Sequence, residues 1–438
     1  MLHSWGGVAM PSFLNRLNVM QQNLRSSRKT LDLHRNALLQ SQIAAAYRHT
    51  PFYRHLFDKH KVSPFDIKTM NDLNRLPIIT KDDIRQYKDE IISRRYDIDR
   101  CYRSHTSGST GEPTWTFYDR PCWYRKKYFS KIRARMACGM RWGQRVVILE
   151  SEATRELRLK NRRLSKLFFL LPVKYLSIFE PPEILLEKLT AFKPHNIYGP
   201  PSSLFAVAKR AHQAGTRIVG LERVFTSSEY LAVTVRNYIE KSLGAKVHDV
   251  YGSTETKELA WQCTTGQGYH INEDEAIIEI VDDHGNVLPP GRPGNIVITD
   301  LCNRAMPLIR YRNQDKGLLI DSDCPCGIGF ALMQPLSGRA SEHILLPTGQ
   351  HLSPFLFTTS IEKTKGLLQY QIIQERVDAL RVKTSFAQGN FDYGRTSIEK
   401  TLKELTKNLM TIEVEECDQL DLEKNGKFMV VRNEIAIS

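Results

Sequence analysis

The densest chemistry in the chain lies in SHTSGSTGEP, residues 104–113, where Thr106, Ser107, Gly108, Ser109, Thr110 and Gly111 occupy consecutive positions. Glycines let a backbone close around an anion, and its N–H groups together with Ser and Thr hydroxyls can donate to phosphate oxygens. No lysine follows Gly111, so this is not the Walker pattern. A polar turn would satisfy the same composition.

A second segment, YGSTE at residues 251–255, follows an apolar run. The Tyr251 ring can stack on a purine, the Thr254 hydroxyl can meet a phosphate, and the Glu255 carboxylate can hold a divalent cation such as magnesium. In LIRYRNQDKG, residues 308–317, Asp315 stands at an expected strand end, where a carboxylate can accept two ribose hydroxyls. Farther on, Arg339 in SGRASEHILLPTGQHLSP suits ribose or phosphate, and Lys427 in NGKFMVV rides on a glycine turn.

Cys263, His270, Cys324 and Cys326 form a different constellation, spaced C-x6-H and then C-x-C within CPCG. Three thiolates and an imidazole make a plausible tetrahedral zinc set, closed and therefore structural. The alternative is four reduced, buried side chains. Cys302, in a strand-like run, fits such a set less well. Trp115, Trp142 and Trp261 read as core residues.

These residues need elements to position them. A length of 438 residues points to two domains, and 41% hydrophobic with 25% charged residues is an ordinary globular balance. Residues 14–55 carry helical periodicity, read as two helices that stop near Thr50-Pro51. A cap-like Asn71 or Asp72, a break at Pro77 and an N-cap at Thr80 follow. Strand patterns at residues 145–150, 246–252 and in EAIIEIVD and NIVITDL alternate with helical ones at 184–192 and 233–243, implying an α/β domain. The turn-rich DHGNVLPPGRP, residues 283–293, predicts an antiparallel hairpin or a barrel-like subdomain. After Arg339 the texture changes to strand, helix and strand. The expectation is a large N-terminal α/β domain with a β-barrel-like subdomain, residues 1–338, and a small α+β domain, residues 339–438.

In this order the five segments resemble the adenylate-forming superfamily of acyl-CoA synthetases, peptide-synthetase adenylation domains and luciferases, and within it the phenylacetate-CoA ligase or CapK-like type. The N-terminal AAAYRHTPFYRHLFDKHKVSPFDI and NDLNRLPIITKDDIR are similar to that subgroup, so the likeness spans nearly the whole chain. The resemblance implies that residues 106–111 embrace the ATP phosphates, that Tyr251, Gly252 and Ser253 line the nucleotide, and that Thr254 meets the α-phosphate. It also implies Glu255 on Mg2+, Asp315 at the ribose, Arg339 at ribose or phosphate, and Lys427 between the carboxylate and the α-phosphate, where it eases the meeting of two anions. The C-terminal domain of the family is mobile, and its hinge position falls on Ser341, where Asp or Lys is usual.

The implied activity is formation of an acyl-AMP with release of pyrophosphate, followed by acyl transfer to the thiol of CoA. An amine or a carrier protein in polysaccharide or natural-product biosynthesis is the alternative acceptor, and a catalytically silent nucleotide-binding protein is the alternative class. Expected partners are a small carboxylic acid, ATP and an acyl acceptor, and a homodimer is compatible with this reading. Segments such as Tyr198-Gly199-Pro200 and Thr226-Ser227-Ser228-Glu229 resemble family stretches that line the acyl pocket, and read equally well as turns. A net charge of +14 would suit nucleic acid, but the basic residues are dispersed apart from a denser patch at residues 155–166, and no nucleic-acid module is present. Without a signal-like N-terminus or a long apolar run, the expected location is the cytoplasm. There eight cysteines are more naturally thiols or metal ligands than disulfides.

Overall fold

The computed structural model describes residues 10–105, 114–151, 172–336, 343–352, 354–387, 389–423 and 426–435. The chain forms two compact units: Met1–Gly139 with Val250–Pro335, and Met140–Asp249 with Leu336–Ser438.

The first unit begins with helices Met10–Asn23, Arg28–His49 and Pro51–Lys59. The expected pair of helices is thus three. Ser27 starts the second by accepting a hydrogen bond from Thr30 N–H, and Pro51 does not stop the helical run but opens the third at its first position, where a missing N–H costs nothing. Thr80 caps Lys81–Gln86 as expected, and Asp83 returns a bond to Thr80 N–H. Asp72 serves the capping box from its inner side, with Thr69 as the cap. Tyr53, Phe57, Leu73 and Ile79 from this region pack on Leu308 and Tyr311.

Strands of the first unit follow the order Ala276–Val281, Gly294–Asp300, Tyr311–Ile320, Leu332–Leu336, Tyr269–Ile271, Lys257–Gln262 and the second half of Lys246–Ser253. The hairpin expected around residues 283–293 is present, with Val281 opposite Asn295. Barrel-like closure is absent among the described residues, where Ala276–Val281 is an edge strand of an open sheet. Its residues are all buried, so helices and loops cover the faces without the strands curling shut.

The second unit is built differently. Val146–Glu150, Val173–Ser177, Asn196–Gly199 and Arg223–Ser227 run parallel, and Pro182–Phe192, Pro201–Gln213 and Val233–Leu243 supply helices between successive strands. The C-terminal residues make a four-stranded sheet in the order Thr411–Glu416, Ala379–Phe386, Leu367–Arg376 and Val431–Asn433. Helix Phe391–Leu405 accompanies it. Leu204, Val207 and Ile239 of the parallel part share one apolar cluster with Tyr370, Ile372, Phe428 and Val430 of the C-terminal part. Among the described residues no helix is long and apolar enough to cross a membrane.

Candidate active site and metal centre

Within the first unit three separated stretches converge on the YGSTE segment. Lys246–Ser253 runs antiparallel to Lys257–Gln262, and its register slips between Tyr251 and Gly252. That bulge needs a glycine: a Cβ on residue 252 would stand 2.2 Å from the Lys257 carbonyl oxygen. The displaced backbone leaves Tyr251 half-buried, and its hydroxyl donates to Asp315 Oδ2 at 2.9 Å. Asn313 Nδ2 donates to the Tyr251 oxygen at 2.8 Å and to Asp315 Oδ2 at 2.9 Å. Asp315 lies inside strand Tyr311–Ile320 rather than at its end, beside Gln314, whose φ of 71° places it in the left-handed region.

Thr254 and Glu255 occupy the turn between the two strands. Tyr118, fully buried on strand Trp115–Tyr118, donates its hydroxyl to both carbonyls at 2.7 Å. Glu255 is buried, and Tyr311 donates to its Oε1 at 3.3 Å. Lys257 closes the turn, with Nζ at 2.8 Å from Ser104 Oγ and 2.9 Å from the Thr254 carbonyl, above the rings of Tyr118 and Trp123 at 4.9 and 5.4 Å. Burial pushes its ammonium down to about 7, Lys131 and Lys127 push the same way, and Glu255 opposes them.

One layer behind, the helical run Arg120–Tyr124, Arg125–Phe129 and Ser130–Ala137 contains a π-type turn. It delivers three cations into the interior. Lys126 meets Asp300 at 3.0 Å, Arg125 meets Glu275 at 3.2 Å, and Arg133 meets Asp274 at 2.7 Å. For Asp274 burial acts upward, but Arg133 and Arg125 outweigh it and hold the carboxyl below its usual range.

The structure therefore brings Tyr251, Gly252, Ser253, Thr254, Glu255 and Asp315 together. Thr106, Ser107, Gly108, Ser109, Thr110, Gly111, Arg339 and Ser341 lie outside the described residues, as does the basic patch at 155–166. Lys427 belongs to the second unit, exposed on a turn that Gly426, at φ 78°, closes through a bond from Gly426 N–H to the Glu423 carbonyl. Tyr118, Lys257, Tyr311 and Asn313 were not singled out from the sequence. Asn313 and Asp315 sit two apart on one strand, the spacing that puts side chains on one face, and that was the legible hint. Trp261 is core, whereas Trp115 and Trp142 are exposed, and Arg103 lies 5.3 Å over the Trp115 ring.

The four expected metal ligands also meet. Cys263, His270, Cys324 and Cys326 place their ligand atoms within 4.8 Å of one another. The Cys263 and Cys324 sulfurs are 3.5 Å apart, and Cys326 Sγ is 3.3 Å from His270 Nε2. His270 Nδ1 faces the Phe330 carbonyl at 3.2 Å, which leaves Nε2 turned toward the sulfurs. Burial acts upward on Cys263, yet hydrogen bonds from His270, Thr265 and Cys324 bring its thiol down to about 5. Three sulfurs and one imidazole nitrogen at this separation match the donor set and size of a tetrahedral zinc site, with every position filled by protein. Cys302 stands apart, packed near Cys122.

Residues 344–434 match the family model described as the CapK C-terminal domain. A phenylacetate-coenzyme A ligase of Thermus thermophilus is 28% identical over 400 residues, 87% of this chain and 84% of that protein. Protein CapK of Staphylococcus aureus is 25% identical over 281 residues, 61% of this chain and 59% of that protein. A crystal structure of 2-hydroxyisobutyryl-CoA ligase in its postadenylation state with 2-HIB-AMP aligns with a TM-score of 0.78 at 20% identity, covering 94% of this chain and 91% of that one. In sequence this chain is similar to phenylacetate-coenzyme A ligases and to Protein CapK, and it has the fold of 2-hydroxyisobutyryl-CoA ligase.

Proposed function

We propose that this chain is an AMP-forming, ATP-dependent acid–thiol ligase. A substrate carboxylate oxygen bonds to the α-phosphorus of ATP, the bond to pyrophosphate breaks, and a thiol then takes the acyl group and releases AMP. The observation that carries this reading is the joined set of Tyr251, Asn313 and Asp315 one strand turn from Thr254 and Glu255. A half-buried tyrosine ring fixed by a carboxylate suits an adenine with its ribose, because the ring offers a flat apolar face and Asp315 accepts from hydroxyls. Thr254 would face the α-phosphate and Glu255 would carry Mg2+, which screens the phosphate charge. Residues 106–111 would cradle the phosphates, Arg339 would contact ribose or phosphate, and Lys427 would neutralise the approach of carboxylate to phosphate.

CoA is the acceptor named for the homologous ligases. An amine or a carrier-protein thiol is the alternative acceptor class. A silent nucleotide-binding role is disfavoured by the retention of Glu255, Asp315 and Lys427. Zinc in the Cys263, His270, Cys324 and Cys326 set would tie two loops together and take no part in the chemistry.

The test is pyrophosphate release with ATP and Mg2+ across aryl, fatty, amino and sugar acids, each with and without CoA. One acid class giving release that depends on the acid, with a thioester formed when CoA is present, is the expected result. No release with any acid in the panel, alongside unaltered nucleotide binding, would shift the reading to the silent class.

A further inference from the structure

The turn that carries Lys427 is held by a carboxylate nearly two hundred positions earlier in the same unit. Strand Arg223–Ser227 is followed by Ser228, whose φ of 79° is unusual for a residue with a Cβ and turns Glu229 back toward helix Pro201–Gln213. Glu229 Oε2 accepts from Ser202 N–H at 2.9 Å, at the N-terminal end of that helix. Its Oε1 accepts from Ser202 Oγ at 3.0 Å and from Phe428 N–H at 2.8 Å.

Phe428 is the neighbour of Lys427. It is 7% exposed and shares a core cluster with Leu204, Tyr370 and Val430. On the other side, a Cβ on Gly426 would come within 2.9 Å of Ile178 and Phe179, so the backbone is pressed against those side chains. Burial raises the Glu229 carboxyl above its ordinary range, while the bonds from Ser202 and Phe428 and the charge of Lys427 pull it back.

We propose that Glu229 is a positioning residue for Lys427: its carboxylate ties the amide of Phe428 to the start of helix Pro201–Gln213 and so fixes where the lysine stem begins. A lysine has a flexible four-carbon stem, so its ammonium is placed only as well as its backbone is. The proposal rests on the reading that Lys427 acts in acyl-AMP formation, and it adds a specific requirement. Losing the Glu229 carboxylate impairs the adenylation half-reaction through Lys427 and spares the thiol-transfer half-reaction.

Two measurements separate the parts. Amide hydrogen exchange on the ligand-free protein needs no substrate. In Glu229→Ala, the Phe428 amide exchanges on the order of 10-fold faster or more, while amides of strand Leu367–Arg376 are unchanged. The second measurement is kinetic, with phenylacetate, ATP and Mg2+ for the first half-reaction and synthetic phenylacetyl-AMP with CoA for the second. Glu229→Ala lowers the first about 10- to 100-fold through kcat, with KM for ATP within about 3-fold, and leaves the second within about 3-fold.

Glu229→Gln keeps an oxygen for Phe428 N–H and Ser202 Oγ and restores adenylation to within about 5-fold. In a Lys427→Ala background, Glu229→Ala costs adenylation nothing further, whereas a purely structural residue would add its own loss. Glu229→Asp, too short to span Ser202 N–H and Phe428 N–H together, gives the same selective loss and serves should the alanine variant not fold. Unchanged Phe428 exchange, or equal loss in both half-reactions, overturns the proposal. A Lys427→Ala variant with intact adenylation overturns instead the role of Lys427 on which it rests. Faster Phe428 exchange together with unchanged adenylation removes the positioning role alone.

Discussion

At the scale of single residues, the site depends on hydrogen bonds that hold an aromatic ring in place. Tyr251 is pinned through its hydroxyl by Asp315 and Asn313, so Asp315 both accepts from the ribose in the proposed complex and orients the ring. Asp315→Ala is expected to raise KM for ATP by on the order of 10- to 100-fold, the worth of one or two hydrogen bonds to a charged acceptor. Tyr251→Phe keeps the stacking face and loses only the pin, so it should raise KM by less than about 5-fold. Initial-rate kinetics on both variants decide this, and equal effects would argue that the ring's fixation matters more than the carboxylate. Lys427→Ala should lower acyl-AMP formation by on the order of 100- to 1,000-fold, leaving a measurable residual rate, while transfer from preformed acyl-AMP stays nearly intact. Measuring the two half-reactions separately checks it.

At the scale of elements, two loops make the difference between a plain sheet and a site. The bulge at Gly252 lets Lys246–Ser253 and Lys257–Gln262 pair while Thr254 and Glu255 stand in the turn between them. Because any Cβ at residue 252 meets backbone rather than a movable side chain, Gly252→Ala should destabilise the fold by roughly 2–4 kcal/mol, measured by denaturant unfolding. The second loop joins Cys324 and Cys326 to Cys263 and His270. Elemental analysis of protein purified without added metal should find about one zinc per chain, as a single four-ligand site requires. Cys324→Ser should lose the metal and lower the melting temperature. A metal-free protein whose stability is untouched by Cys324→Ser would remove zinc from the account.

At the scale of the whole molecule, buried charge shapes the response to pH. Lys257 carries a pKa near 7 in the folded state against 10.5 as its ordinary value. Below 7 both folded and unfolded chains hold its proton, and the fold bears the full cost of the buried ammonium. Between 7 and 10.5 only the unfolded chain still holds it, so the contribution of Lys257 to stability rises with pH. The difference in unfolding free energy between wild type and Lys257→Met, taken from pH 6 to 8.5, should shift in favour of wild type as pH rises. Lys126, Lys127, Lys131 and Glu255 face the same amine, and the difference cancels their own titration to first order. The net charge of +14 also bears on the molecule as a whole. Oligonucleotide binding that weakens only gently with salt would match a dispersed surface, whereas a steep slope would reveal a continuous basic face.

Much of this is legible in the sequence, for physical reasons that differ from residue to residue. The helices Val233–Leu243 and Lys81–Gln86 were legible because periodicity and capping are local, and strand Val146–Glu150 because it is a short continuous apolar run, whereas the parallel strands around Tyr198 and Thr226 read as turns. The Cys263, His270, Cys324 and Cys326 cluster was legible by residue type, since thiols and an imidazole are the groups that can gather around a soft cation, although buried reduced thiols would read the same way. Folding decided what depends on contacts between distant stretches. An edge strand that stays open cannot be told from one that curls into a barrel, because both bury the same residues. Lys257 looks like any surface lysine until Tyr118 and Trp123 close around it, and Glu229 looks like a turn residue until Ser202 and Phe428 donate to it. By itself the sequence determined which groups are available and in what order along the chain. Only the tertiary structure decided which of them share a hydrogen bond, because burial and pairing are properties of neighbours in space.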